Sequence, residues 1–171
     1  NIVKNKYNKK YAYYDDSIRK KLLQEQILIN DMKPSLARRR FKVFYQPKYD
    51  FKTEKIVGAE ALVRWDHPKM GMIFPGVFIG LFERNGFITE IDYFVWEEAC
   101  KKLKEWSDNG YENLSISVNV SRINLYNNNL SNLLIELVRK YNISPKALHL
   151  EITESAYTEN SEQIIEGAKR L

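Results

Sequence analysis

Four short segments of the chain alternate apolar and polar residues, the pattern of a β-strand that buries one of its two faces. In the longest, residues 55–65, every odd-numbered position from Val57 to Trp65 is apolar, while Glu60 and Arg64 fall on the opposite face. In the other three segments, the polar residues opposite the apolar set are Gln46, Asn119 and Glu151. Because a carboxylate or amide is costly to bury in an apolar sheet, polar residues sharing one face predict that this face lines a pocket.

The rest of the sequence predicts helices between these strands. Pairs that end helices occur at Asn85-Gly86 and Asn109-Gly110, and Pro75 suits a first helical turn. We expect a break or a new first helical turn at Pro34, and a long loop over residues 66–72. The predicted order is a helix capped by Ser17 and running to 32, strand 41–49, turn 50–54, strand 55–65, helix 75–84, helix 89–106, strand 114–120, helix 131–141, strand 148–153 and a helix from 160.

Strands and helices alternate from residue 114 onward, which predicts a parallel sheet. In parallel sheets, ligands collect at the carboxyl ends of the strands. Asn119 and Glu151 each lie near the end of a predicted strand, so we expect them on the same rim. The hairpin of residues 41–65, in contrast, requires one strand antiparallel to its neighbour.

The positive charge of the chain is confined to its first forty residues. Residues 1–40 contain 11 Lys and Arg against 4 Asp and Glu, whereas residues 41–171 contain 16 against 18. One interpretation is an arm that binds nucleic acid or an acidic membrane. Leucines and isoleucines interleave with these charges, however, so we favour a basic linker helix over residues 17–40 and no nucleic-acid polymer as a partner.

The single cysteine, Cys100, excludes a disulfide framework within the chain, and the expected setting is therefore reducing and cytoplasmic. No stretch reaches the ~20 apolar residues of a membrane-spanning helix, so we predict no membrane segment in this chain. A parent protein can still be anchored through other segments. Neither Cys100 nor His67 has a partner at metal-binding spacing, and we interpret both as packing or loop residues.

An ordered set of motifs over residues 41–171 resembles the EAL family of cyclic di-GMP phosphodiesterases. A lone Glu-Ala-Leu would carry no weight, but these motifs follow the family's order with similar spacing. They are Tyr45-Gln46-Pro47, Glu60–Trp65, His67-Pro68, Pro75–Ile79, Glu83–Gly86, Ser117–Ser121 and Leu150–Ser155. One local departure is Gly80, at a position where the family often has proline.

The resemblance implies an α/β fold, a TIM-like (β/α)8 barrel of the EAL type whose first strand runs antiparallel, and this accounts for the predicted hairpin. About four of the eight strands fall within this chain, so residues 41–171 are expected to be the N-terminal half of an EAL domain. The family pattern continues with an Asp-Asp-Phe-Gly stretch, a catalytic general-base lysine, a further metal-binding Glu and a late Gln, all expected beyond Leu171. This chain is therefore expected to hold no catalytic residue and to be inactive alone.

The resemblance also implies roles for individual residues. Those that match the oxygen ligands of a two-ion Mg²⁺ or Mn²⁺ site are Glu60, Asn119 and Glu151. Those that match dinucleotide-binding positions are Gln46, Leu62 and Arg64, with Arg64 acting on phosphate. Glu154 matches a residue that anchors a neighbouring active-site loop.

The chemistry of these residue types suits the implied reaction. Carboxylate and amide oxygens bind hard ions such as Mg²⁺ and Mn²⁺, and two such ions polarise a phosphodiester and activate water without any Ser or Cys. Arginine donates to non-bridging phosphate oxygens. Taken alone, however, Glu60 and Glu151 are also compatible with ordinary ion pairs, and Asn119 with a turn at the end of its strand.

Residues 1–16 are similar to the tail of a GGDEF domain in the same parent chain; the alternative is a generic N-terminal extension. For the parent protein, the resemblance implies metal-dependent hydrolysis of cyclic di-GMP to linear pGpG and a homodimer through the EAL domain. The alternative functions are an inactive EAL-type receptor, which binds cyclic di-GMP without cutting it, and a regulatory or scaffold domain.

Overall fold

The structure, a computed structural model, describes residues 16–152 and divides into two units, residues 1–38 and residues 39–171. The described part of the first unit is helix α1 (Asp16–Ala37). Ser17, the predicted cap, lies inside the first turn of this helix. Pro34 also lies inside it, so the predicted break is wrong. A proline removes only its own N–H, and the N–H of Arg38 still donates to Pro34 O at 3.1 Å, which allows one further turn.

The second unit is built on a mixed sheet. Its strands are β1 (Phe41–Asp50), β2 (Lys55–His67), β3 (Gly71–Ile73), β4 (Ser115–Val120) and β5 (Leu148–Ile152). The strand order is β1-β2-β4-β5, with β3 paired to β2. β1 is antiparallel to β2, whereas β2, β4 and β5 run parallel. The predicted hairpin and the predicted parallel sheet are therefore both confirmed.

Helices connect the strands as the sequence predicts. They are α2 (Pro75–Asn85), α3 (Ile88–Asp108), α4 (Arg122–Leu125) and α5 (Leu130–Lys140), with a 3-10 turn at Pro145–Ala147. Helix α2 ends at Gly86, whose φ of 81° is a left-handed conformation that glycine adopts without strain. The sequence did not predict α4, because four residues are too few to show a helical period. The predicted helix from residue 160 and residues 1–15 of the predicted GGDEF tail lie outside the described residues.

Across residues 16–152, none of the helices combines the length and the apolar character that crossing a bilayer requires.

The segment predicted as a loop over residues 66–72 is instead the turn of a second hairpin. β2 continues to His67 and pairs with β3, so that Trp65 lies opposite Ile73 and His67 opposite Gly71. The buried His67 ring closes this turn, because its Nδ1 accepts the backbone N–H groups of Lys69 and Met70 at 3.2 and 3.3 Å. The prediction failed because turn residues dominate this short segment and mask the pairing of its ends.

One face of the sheet packs against α2 and α3 to form the core. The buried sheet residues on this face are Phe41, Ala59, Ala61, Val63, Trp65, Ile116, Val118 and Val120. Phe41 and Trp65 stack with ring centroids 4.9 Å apart, and Phe78 and Phe82 of α2 contact both rings at 5.6–6.1 Å. Burial of each such side chain stabilises the fold by about 1.5–3 kcal/mol, so this aromatic cluster fixes β2 against the helices.

β2 and β4 approach each other closely at Gly58. A Cβ atom added at Gly58 would lie 2.2 Å from the backbone oxygen of Ser115, its partner in the parallel register. This distance is far below van der Waals contact, and the obstructing atom belongs to the backbone. A glycine is therefore needed here for the two strands to pair.

We expect the substitution Gly58→Ala to lower the free energy of unfolding by roughly 1–3 kcal/mol or more, because the strands must separate to admit the methyl group. Gly80→Ala is the matched control, since an added Cβ in this exposed helical position meets only Arg84 Nη1 at 3.8 Å. That change should stabilise the protein by about 0.5–1 kcal/mol. Urea unfolding measures the free energy of unfolding of both variants. Equal effects of the two substitutions would contradict the close approach of β2 and β4 at Gly58.

Candidate active site

The face of the sheet opposite the core carries the polar residues that the sequence singled out. Cα partners on neighbouring strands share a face. Gln46 lies opposite Glu60, Glu60 opposite Ser117, and Asn119 opposite Glu151. We call this surface the polar face, and its residues are Gln46, Lys48, Glu60, Leu62, Arg64, Ser117, Asn119 and Glu151.

The three predicted metal ligands come together on adjacent strands. Asn119 Nδ2 donates a hydrogen bond to Glu60 Oε1 at 3.1 Å, which joins β4 to β2. Glu151 on β5 is the register partner of Asn119, so the expectation that these two residues share a rim is confirmed. All three side chains are partly buried. The arrangement places two carboxylates on either side of one amide.

Glu151 also forms an ion pair within the polar face. Lys48 Nζ contacts Glu151 Oε1 and donates to Ser117 Oγ at 2.7 Å. The hydrogen bond from Lys48 is the main cause that holds the pKa of Glu151 below its ordinary value. The ion-pair interpretation of Glu151 is therefore correct for this structure, and the lowered pKa keeps the carboxylate in its charged form.

The contact between Lys48 and Glu151 joins the two outer strands of the sheet. β1 and β5 are the outer strands of the order β1-β2-β4-β5, and in a flat sheet they would lie roughly 14 Å apart. Lys48 also contacts Ser117 on β4, so its long side chain leans across β2 on the polar face to reach Glu151.

Sequence reasoning passed over Lys48 and Ser117, although alternation could have found both. Lys48 lies two residues after Gln46, and Ser117 two residues before Asn119, so each shares a face with a residue that was singled out. A register shift between Lys48 and Tyr49 ends this regularity on β1. The contact of Lys48 with Glu151 could not be predicted from either segment alone, because the two residues lie on the outer strands of the sheet and are 103 residues apart.

The predicted substrate-binding residues lie on the same face. Leu62 and Arg64 follow Glu60 along β2, and Gln46 lies opposite Glu60 on β1. Gln46 is exposed, whereas Leu62 and Arg64 are half-buried. The Arg64 guanidinium lies 5.0 Å from the ring centroid of Phe74 and donates to Val63 O at 2.9 Å. Within residues 16–152 its contacts are thus with Phe74 and Val63, and not with the acidic residues of the polar face. A cation held against an aromatic ring remains available to an anion.

Helix α3 holds the end of β4 in place through two residues one turn apart. Trp96 Nε1 donates to the backbone oxygen of Asn119 at 3.1 Å. The buried Asp92 carboxylate accepts the N–H of Ser121 at 2.9 Å and Asn124 Nδ2 at 2.8 Å. Burial raises the pKa of Asp92 above its ordinary value. Both residues fall in the apolar stripe of α3, and an acidic residue in such a stripe is the signal that could have identified Asp92.

The donor set fits a hard divalent ion in its chemistry. No three His, Cys, Asp or Glu side chains of residues 16–152 gather into a metal-binding cluster. The site instead combines the two carboxylates of Glu60 and Glu151 with the amide of Asn119, all oxygen donors. Glu154, the predicted loop anchor, lies outside the described residues.

Comparison with known proteins gives relatives of one family. The chain matches the EAL domain family over residues 29–171. It is 33% identical over 145 residues to the bifunctional diguanylate cyclase/cyclic di-GMP phosphodiesterase MucR of Pseudomonas aeruginosa, which covers 85% of this chain and 21% of MucR. It is 36% identical over 162 residues to the signaling protein YkoW of Bacillus subtilis, covering 92% of this chain and 20% of YkoW.

Among solved structures, the PaMucR phosphodiesterase in complex with c-di-GMP superposes with a TM-score of 0.79 at 32% identity, over 84% of this chain and 58% of that chain. The Xanthomonas citri FimX EAL domain superposes with a TM-score of 0.76 at 18% identity, over 89% of this chain and 58% of that chain. These superpositions confirm the predicted EAL-type barrel fold. The chain spans about a fifth of the length of the two curated relatives.

The buried Asp92 predicts how stability depends on pH. Its pKa is raised by folding, so the native state loses stability relative to the unfolded state as pH rises from below the unfolded pKa through the folded pKa. In Asp92→Asn this loss is absent. We therefore expect the free energy of unfolding of the wild type, minus that of Asp92→Asn, to fall as the pH rises above about 4, the ordinary pKa of an unfolded aspartate.

Asp50 gives a control of opposite sign. Hydrogen bonds from the backbone N–H groups of Thr53 and Lys52 lower its pKa, so its contribution is present at neutral pH and is lost as pH falls. The free energy of unfolding of the wild type, minus that of Asp50→Asn, should therefore rise with pH. Urea unfolding at several pH values measures both, and a pH-independent difference for Asp92→Asn would remove the buried carboxyl as the cause.

Proposed function

The chain belongs to the EAL domain family, and from this premise we propose that it supplies metal- and substrate-binding residues to a cyclic di-GMP phosphodiesterase. The reaction is hydrolysis of cyclic di-GMP to linear pGpG. The observation that carries the proposal is the Glu60–Asn119 hydrogen bond with Glu151 beside it in register. The names of MucR and of the PaMucR complex, which mention cyclic di-GMP, support the choice of substrate.

Mg²⁺ or Mn²⁺ is the proposed cofactor, at a two-ion site held in part by Glu60, Asn119 and Glu151. Bound there, the ions would polarise the phosphodiester and lower the pKa of a water molecule. Asn119 suits this position because an amide has both a donor and an acceptor, so its bond to Glu60 leaves a carbonyl oxygen for an ion. The remaining ligands and the general base are proposed to lie outside this chain.

The proposed substrate contacts are made by the other residues of the polar face. Arg64 donates to a phosphate oxygen, and its position over Phe74 limits the side-chain entropy that substrate binding must remove. Leu62, between Glu60 and Arg64 on β2, offers apolar surface to the dinucleotide. Gln46 is opposite Glu60 and exposed, so its amide is free to face the substrate.

The proposal extends to the surroundings of the domain. A GGDEF domain preceding residues 17–40 is supported by the bifunctional name of MucR, and a homodimer through the EAL domain is proposed with it. A reducing, cytoplasmic location is supported by the single buried Cys100, whose pKa burial raises to about 11. Glu154 is proposed to anchor a neighbouring active-site loop.

The decisive experiment is cyclic di-GMP hydrolysis with Mg²⁺ or Mn²⁺, using the protein that carries this chain. We expect pGpG as product and a loss of more than about 100-fold in kcat for Glu60→Gln, since even residues that only support metal ligands contribute 10–100-fold. Glu112→Gln, an exposed position after α3, is the control and should leave turnover unchanged. Tight binding without product in the wild type would make the protein a receptor, and neither binding nor product would favour a scaffold.

Arg64→Ala tests the phosphate contact. A charge-assisted hydrogen bond contributes about 1.5–3 kcal/mol, so the dissociation constant for cyclic di-GMP should rise by about 10- to 150-fold. Calorimetric titration with divalent ions chelated prevents turnover during the measurement. Arg139→Ala on the exposed side of α5 is the control. Normal affinity in Arg64→Ala would remove this residue from the substrate site.

A further inference from the structure

We propose that Lys48 is an internal counter-ion of the candidate metal site: its ammonium group occupies Glu151 when no divalent ion is bound, and an ion must displace it to load the site. This inference rests on the proposed function, since it takes Glu151 to be a metal ligand. Lys48 would thereby set the concentration of divalent ion that is needed to occupy the site.

The contacts of Lys48 place its charge where a cation would bind. Lys48 Nζ is paired with Glu151 Oε1 and also donates to Ser117 Oγ at 2.7 Å. Ser117 stands on β4 two residues before Asn119, so the ammonium group lies on the polar face beside the predicted ligands. The lysine ammonium group, a monovalent cation, is therefore bound to one carboxylate oxygen of Glu151, a proposed metal ligand.

Gly58 makes this position accessible to Lys48. Gly58 is the register partner of Lys48 on β2 and presents no side chain to the polar face. The lysine stem can therefore extend over β2 towards β4 and β5.

The positive charge is distributed unequally over the two acidic ligands. Glu60 accepts a hydrogen bond from the neutral amide of Asn119, whereas Glu151 is paired with Lys48. Arg64, another cation on this side of the sheet, contacts Phe74 and Val63. Removal of the Lys48 charge should thus free Glu151 while leaving the surroundings of Glu60 as they are.

The test is Mn²⁺ binding to the protein that carries this chain, measured by calorimetric titration without substrate. Lys48→Gln removes the competing charge and keeps a polar side chain, so we expect the affinity for Mn²⁺ to rise by about 1.5-fold to fivefold, the scale of a partly exposed ion pair. Lys48→Arg retains the charge and should bind Mn²⁺ like the wild type. Unchanged affinity in Lys48→Gln overturns the proposal.

Weaker binding in Lys48→Gln also overturns it, because Lys48 would then orient Glu151 for the ion and not compete with it. Lys42→Gln is the matched control, since Lys42 lies on the same strand, opposite Arg64, and is exposed. An equal rise in affinity for this variant would show that only net charge matters, and would overturn the specific role of Lys48.

The failure of this inference is distinguishable from failure of the metal site itself. Glu60→Gln and Glu151→Gln should each weaken Mn²⁺ binding if the proposed site is correct. Mn²⁺ binding that neither change weakens would remove the site and, with it, the role of Lys48. Binding that depends on both glutamates but is unaffected by Lys48→Gln would overturn the counter-ion alone.

Discussion

The alternation of side chains along β2 is the constraint on which the rest of the second unit depends. A strand directs successive residues to opposite faces, so the positions that bury Ala61, Val63 and Trp65 against the helices necessarily send Glu60 and Arg64 to the other side. Core and site are thus fixed by one register. A slip of a single residue would exchange the two faces, burying a carboxylate and exposing the tryptophan.

Features that follow from local pattern were predicted well from the sequence. The hairpin of β1 and β2, the parallel strands β4 and β5 and the helices α2, α3 and α5 all have periods or end signals within their own segments. The convergence of Glu60, Asn119 and Glu151 was likewise predictable, since each follows an apolar alternation on a strand of one sheet.

Features that depend on distant contacts were not predictable in the same way. Pro34 stays within α1 and β3 pairs with the end of β2, although the local residue types favour a break and a loop. The interaction of Trp96 with the Asn119 backbone requires knowledge of how α3 lies against β4. The site is therefore only partly a property of its strands, because a helix outside the sheet holds the segment from which Asn119 projects.

The pairing of Lys48 with Glu151 spans 103 residues of sequence, and the contact between Asn119 and Glu60 spans 59. Closing such long loops costs conformational entropy, and contacts of high sequence separation form after local ones. The acidic residues of the polar face are therefore separated in a partly folded chain and meet only once β2, β4 and β5 have paired. Occupancy of the proposed cation site would thus report that these three strands are in register.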